Sequence, residues 1–88
     1  MLFLEGMKFT EYFNITKLRG DRANIDMKWI EQAFYHPDFE EIQTDGRYRR
    51  WTFVSEENKF LRIIVLEDNE TIHNAFFDRS FKGKEKEL

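Results

Sequence analysis

The stretch Phe39-Glu40-Glu41-Ile42-Gln43-Thr44-Asp45-Gly46-Arg47-Tyr48-Arg49-Arg50-Trp51-Thr52-Phe53-Val54 decides the fold. Asp45-Gly46 is the strongest short hairpin signal in the chain, because glycine accepts the positive φ that a tight turn between twisted strands demands. Phe39 to Thr44 and Arg47 to Val54 then read as two antiparallel strands. Ser55-Glu56-Glu57-Asn58 supplies a second turn, rich in residues that accept turn geometry. Beyond it, Lys59 to Glu67 contains Leu61-Arg62-Ile63-Ile64-Val65-Leu66, apolar on both faces as in a central, covered strand. Asp68-Asn69 makes a third turn, and Glu70 to Phe77 closes a four-stranded antiparallel meander.

Upstream of Pro37 the period changes. Asn24 or Asp26 offers a cap for a helix running to about Tyr35, with Met27, Ile30 and Phe34 on one stripe widened by Trp29 and Ala33. Pro37 disfavours helical geometry at His36 and ends it. Arg19-Gly20-Asp21-Arg22 reads as a turn. Before it, Phe9, Tyr12, Phe13 and Leu18 form one stripe of a short helix, although Thr10 to Thr16 also suits a strand. The expected fold is α+β, one or two N-terminal helices packed on the meander sheet. Residues 1–81 make a single domain, and residues 82–88 a charged tail with little apolar surface to bury.

Composition sets the outer bounds. Among 88 residues, 41% are hydrophobic, and 10 Phe, 3 Tyr and 2 Trp are far more aromatic than a disordered linker allows. With 14 Lys and Arg against 17 Asp and Glu, a net charge of −3 gives no bulk steering toward nucleic acid or anionic lipid. The absence of Cys removes disulfides, thiolate metal sites and thiol nucleophiles together. Two isolated His make no zinc site of ordinary spacing, and no glycine-rich phosphate loop or Gly-x-Ser-x-Gly elbow is present. No cofactor or metal is expected. No apolar run nears the ~18 residues of a membrane span, and Met1 to Gly6 lacks the features of a secretion signal, so a cytoplasmic protein is expected.

Turn lengths fix strand register, and register sorts side chains by face. Two-residue loops at Asp45-Gly46 and Asp68-Asn69 and a four-residue loop at Ser55 to Asn58 set Trp51 opposite Glu40 and Arg62. They set Arg49 opposite Ile42 and Ile64, and His73 opposite Ile64. One face then carries Glu40, Arg47, Arg49, Trp51, Arg62 and His73, with Phe53, Phe60, Ile64 and Phe77. The other carries Tyr48, Thr52, Val54, Leu61, Ile63, Val65, Ile72 and Phe76, with Glu41 beside Arg50, and is the layer a helix covers.

The mixed face suggests chemistry on RNA. Arg49 and Arg62 would grip phosphate through their planar donor forks, and Trp51 would stack on a base. His73 would donate a proton to the leaving oxygen, and Glu40 would act as the base that takes the ribose 2′-hydroxyl proton. Arg47 and Arg79 add RNA contacts. The same residues also admit a structural reading: an exposed ion-pair ladder from Arg49, Arg62 and Glu40, worth a few tenths of a kcal/mol to ~1. In that reading His73 is an ordinary strand residue. Trp51, Phe53, Phe60 and Phe77 become an apolar patch for protein contact or homodimerisation.

A family resemblance bears on the choice. Arg19-Gly20-Asp21-Arg22, Trp29-Ile30, Pro37, Asp45 through Trp51, Leu61-Arg62, Leu66-Glu67-Asp68 and Glu70 through Arg79 resemble a group of small bacterial proteins near the RelE/ParE-type toxin superfamily. The resemblance implies helices on an antiparallel sheet, with basic residues on that sheet as the place to look. The wider superfamily includes ribosome-dependent mRNA endonucleases and gyrase poisons, usually silenced by an antitoxin protein. The expected function is therefore a toxin-like, RNA-directed domain, a metal-independent endoribonuclease, with RNA or the ribosome and an antitoxin as partners. The alternative is a non-catalytic interaction module or homodimer.

Overall fold

In the computed structural model, which describes residues 6–83, the chain runs β1 (Lys8–Phe9), α1 (Glu11–Thr16), α2 (Gly20–Ala23), α3 (Met27–Tyr35), β2 (Phe39–Ile42), β3 (Tyr48–Val54), β4 (Lys59–Val65) and β5 (Thr71–Phe77). The class is α+β, but the sheet is not the expected four-stranded antiparallel meander. It has five strands in the order β1-β5-β4-β3-β2, and β1 pairs with β5 in parallel. The extra strand is two residues long, held by Lys8 N–H to the Glu70 carbonyl at 2.8 Å and Thr10 N–H to the Ile72 carbonyl at 3.1 Å. Two residues are too few to show an alternating pattern, so periodicity reads through them.

Local chemistry sets the helix boundaries. The Thr10 hydroxyl caps α1 by accepting the Phe13 N–H at 3.0 Å. Asp26 caps α3 through the Lys28 N–H at 2.9 Å, and the helix ends at His36, before Pro37, as the sequence predicts. Arg19 to Arg22 is not a free turn but the entry to the single turn of α2. α3 lays Ile30, Ala33 and Phe34 on the face of the sheet that carries Val54, Leu61, Ile63 and Val65, and Phe13 of α1 joins this core near β5. Ile30, Leu61, Ile63, Val65 and Ile72 are fully buried, each contributing roughly 1.5–3 kcal/mol of transfer free energy.

Two registers differ from expectation, and each moves side chains across the sheet. At the first hairpin, Gln43 N–H bonds the Arg47 carbonyl and Gly46 N–H bonds the Gln43 carbonyl, with Gly46 at φ +90°. The loop therefore has three residues, Thr44 to Gly46, ending on a left-handed glycine rather than two residues at Asp45-Gly46. Phe39 stands opposite Trp51, Glu40 opposite Arg50 and Glu41 opposite Arg49. On β5 a bulge follows the Val65–Ile72 pair, leaving His73 as the surplus residue, with Ile64 opposite Asn74 and Leu61 opposite Phe77. Phe76 thus lies across from Arg62 on the side away from α3. Phe77 faces the helix layer and meets Trp29 edge to face at 6.0 Å. The second hairpin keeps the expected register, with Trp51 opposite Arg62.

Just before the charged tail, Phe81 packs back on the body, stacking on Trp51 at 4.2 Å between ring centroids. Lys82 and Gly83 line a hollow with Phe39 and Phe60, and residues 84–88 of the charged tail lie outside the described residues. Among the described residues no helix is long and apolar enough to cross a membrane.

Candidate functional site

The side of the sheet away from α3 divides into an aromatic end and a cationic end. At the aromatic end Trp51 is buried beneath Phe81, its indole N–H donating to the Asp78 carboxylate at 3.0 Å. Arg62 reaches the same carboxylate oxygen at 3.5 Å, and its guanidinium covers the Phe76 ring at 4.6 Å. Ser80 donates its N–H and its hydroxyl to the other oxygen at 3.1 and 2.8 Å. Burial works against the charge on Asp78, but the hydrogen bonds from Trp51 and Ser80 and the Arg62 charge outweigh it, holding the carboxyl below its usual range.

Around this anchor Phe39, Phe53, Phe60 and Phe81 line an open groove of 630 Å³. Their rings meet edge to face at 5.1 to 6.0 Å, leaving Phe53 42% exposed. Lys59, Arg79 and Lys82 border the groove, and among the described residues none of the three makes an ion pair. Asp78 also borders it, but that carboxylate is already committed.

Arg49 lies on this side, as expected, but its fork is occupied: Nη1 donates to Glu41 at 3.0 Å and Nε to Gln43 at 3.2 Å. Arg47 is half-buried, 3.9 Å from Asp45. His73 sits at the bulge, stacked on Tyr12 at 4.7 Å, with Nδ1 3.1 Å from the Thr10 hydroxyl. That hydroxyl already accepts the Phe13 N–H and keeps a proton and a second lone pair for the ring, so the tautomer sets which of the two donates. Burial, and then the Arg47 charge, lower the His73 pKa from its ordinary value and so favour the neutral ring.

Glu40 requires correction. It does not stand with Arg49, Trp51 and Arg62 but on the helix side, 2.6 Å from Arg50. Arg50 is buried there, donating to the Phe34 carbonyl at 3.2 Å and to Asn69, and lying over the Phe34 and Tyr48 rings. The expected apolar contact patch is split: Trp51 is buried under Phe81 and Phe77 turns to Trp29, while Phe53 and Phe60 stay together at 5.1 Å beside the groove. Arg79, expected as an RNA contact, is exposed at the groove rim.

Sequence reading missed Phe39, Phe81, Lys59 and Lys82 as groove residues. Phe39 needed the three-residue hairpin to reach this side. Phe81 lies beyond the last strand, where no period predicts where a side chain goes. No family model, curated protein or solved structure matches this chain.

Proposed function

We propose that this chain is a toxin-like, RNA-directed domain that grips a single strand in the groove of Phe39, Phe53, Phe60 and Phe81. The carrying observation is the pairing of exposed ring surface with three cations that lack carboxylate partners among the described residues. Bases stack on such rings at ~1–3 kcal/mol each, while Lys and Arg along the rim neutralise backbone phosphate. The resemblance to the RelE/ParE-type superfamily supports RNA as the strand.

Binding is favoured over cleavage by the same geometry. The carboxylate expected as base lies across the sheet, Arg62 is spent on Asp78, and a neutral imidazole is a poor proton donor. The test is fluorescence polarisation with a labelled single-stranded RNA dodecamer, alongside the matching DNA and a duplex. Single-stranded RNA should bind in the micromolar range, weaken steeply with salt, and lose about tenfold on Phe53→Ala. Absence of salt-dependent binding at 100-fold higher protein concentration would defeat the reading.

A further inference from the structure

Beside the groove, across Lys59 and Arg79, lies a second hollow of 370 Å³ lined by Arg22, Ile25, Lys59, Phe76, Phe77 and Arg79. Three of its six residues are cations and none is acidic, in a chain whose net charge is −3. The cations are positioned by the fold. Arg22 of α2 donates through Nη1 to the Asn74 side chain at 2.7 Å and lies over Phe76 at 5.5 Å, while the Lys59 ammonium lies over Phe77 at 5.5 Å. Arg79 is exposed, and the carboxylate next to it in sequence, Asp78, is saturated by Trp51, Arg62 and Ser80. Among the described residues none of the three cations has a carboxylate partner.

We infer that the Arg22–Lys59–Arg79 hollow is a site for a phosphate monoester, and that on the RNA reading above, on which its chain context rests, the monoester is the terminal phosphate of the bound strand. A monoester carries about −1.5 to −2 at pH 7 with three acceptor oxygens, whereas an internal diester carries a single charge. Three cations without a carboxylate match the former better. Lys59 and Arg79 belong to both hollows, so a terminal nucleotide can rest its base on the groove rings with its phosphate next door.

The experiment compares one RNA sequence carrying a 5′-phosphate, a 3′-phosphate or neither, and separately measures thermal shift with inorganic phosphate. One phosphorylated end should bind about tenfold tighter than the unphosphorylated strand, and inorganic phosphate should raise the melting temperature. Arg22→Gln should erase both effects while leaving the unphosphorylated strand bound within about twofold, and Arg22→Lys should retain part of each. Phe53→Ala should weaken all three strands alike and leave the phosphate shift intact. Equal binding of the three strands with no phosphate shift overturns the monoester site and leaves the RNA reading standing. A phosphate shift that Arg22→Gln abolishes, with no RNA bound, upholds the site and overturns the RNA reading.

Discussion

Asp78 is the single side chain on which the aromatic end depends. Its two oxygens collect the Trp51 N–H, the Arg62 guanidinium and both Ser80 donors while the residue is 8% exposed. Asp78→Ala would strand the Trp51 donor and leave Arg62, whose Nε already lacks a partner among the described residues, without its counter-charge. We expect a loss of about 2–4 kcal/mol in urea unfolding, with Asp78→Asn losing less because the indole N–H keeps an acceptor. His73 carries the opposite sign of linkage from a salt-bridged histidine. Its folded pKa is lowered, so the unfolded chain binds more protons near pH 6, and its contribution is present above about 6.5 and declines as pH falls below that. His73→Gln should therefore flatten the fall of melting temperature between pH 7 and pH 5.5. An unchanged profile would show that the ring does not feel its burial.

Among the elements, what could be read from the sequence followed from what repeats. α3, with its Asp26 cap and Pro37 stop, and β3, β4 and β5 with their turns, announce themselves by period and punctuation. The second hairpin, its fourth loop residue Asn58 at φ 55°, kept the predicted register, so Arg49, Trp51 and Arg62 share a side as expected. The site failed where one residue changes the side. Asp45-Gly46 looks the same in a two- and a three-residue hairpin, yet the difference moved Glu40 to the helix side and brought Phe39 into the groove. The bulge at His73 exchanged Phe76 and Phe77 without any glycine to mark it. Gly46→Ala tests the first hairpin: at φ +90°, with Glu67 Cγ 3.1 Å from the added Cβ, it should cost at least about 1 kcal/mol. Deleting His73 tests the second. Removal of the surplus residue joins Ile72 directly to Asn74 in an unbroken ladder that keeps Phe77 against Trp29, so tryptophan emission should stay as in the parent, and a shifted emission would show that the register rests on another residue.

On the scale of the whole molecule, an acidic chain keeps cations beside both hollows at one end of its sheet, which is why net charge alone says little about its partners. The other global feature is the clasp between the first strand and the last: Lys8 opposite Thr71 and Phe9 opposite Ile72. Without residues 6–9, β5 would lose its parallel neighbour and the core would lose Met7, which is 6% exposed, so that truncation should broaden and lower the melting transition. The clasp also orders events during synthesis. The strand made first is the last to find its place, because its neighbour must leave the ribosomal exit tunnel before the two can meet. Until then the nascent chain can build helices and hairpins but cannot close its sheet, so a ribosome stalled before residue 71 would hold an open, protease-sensitive intermediate.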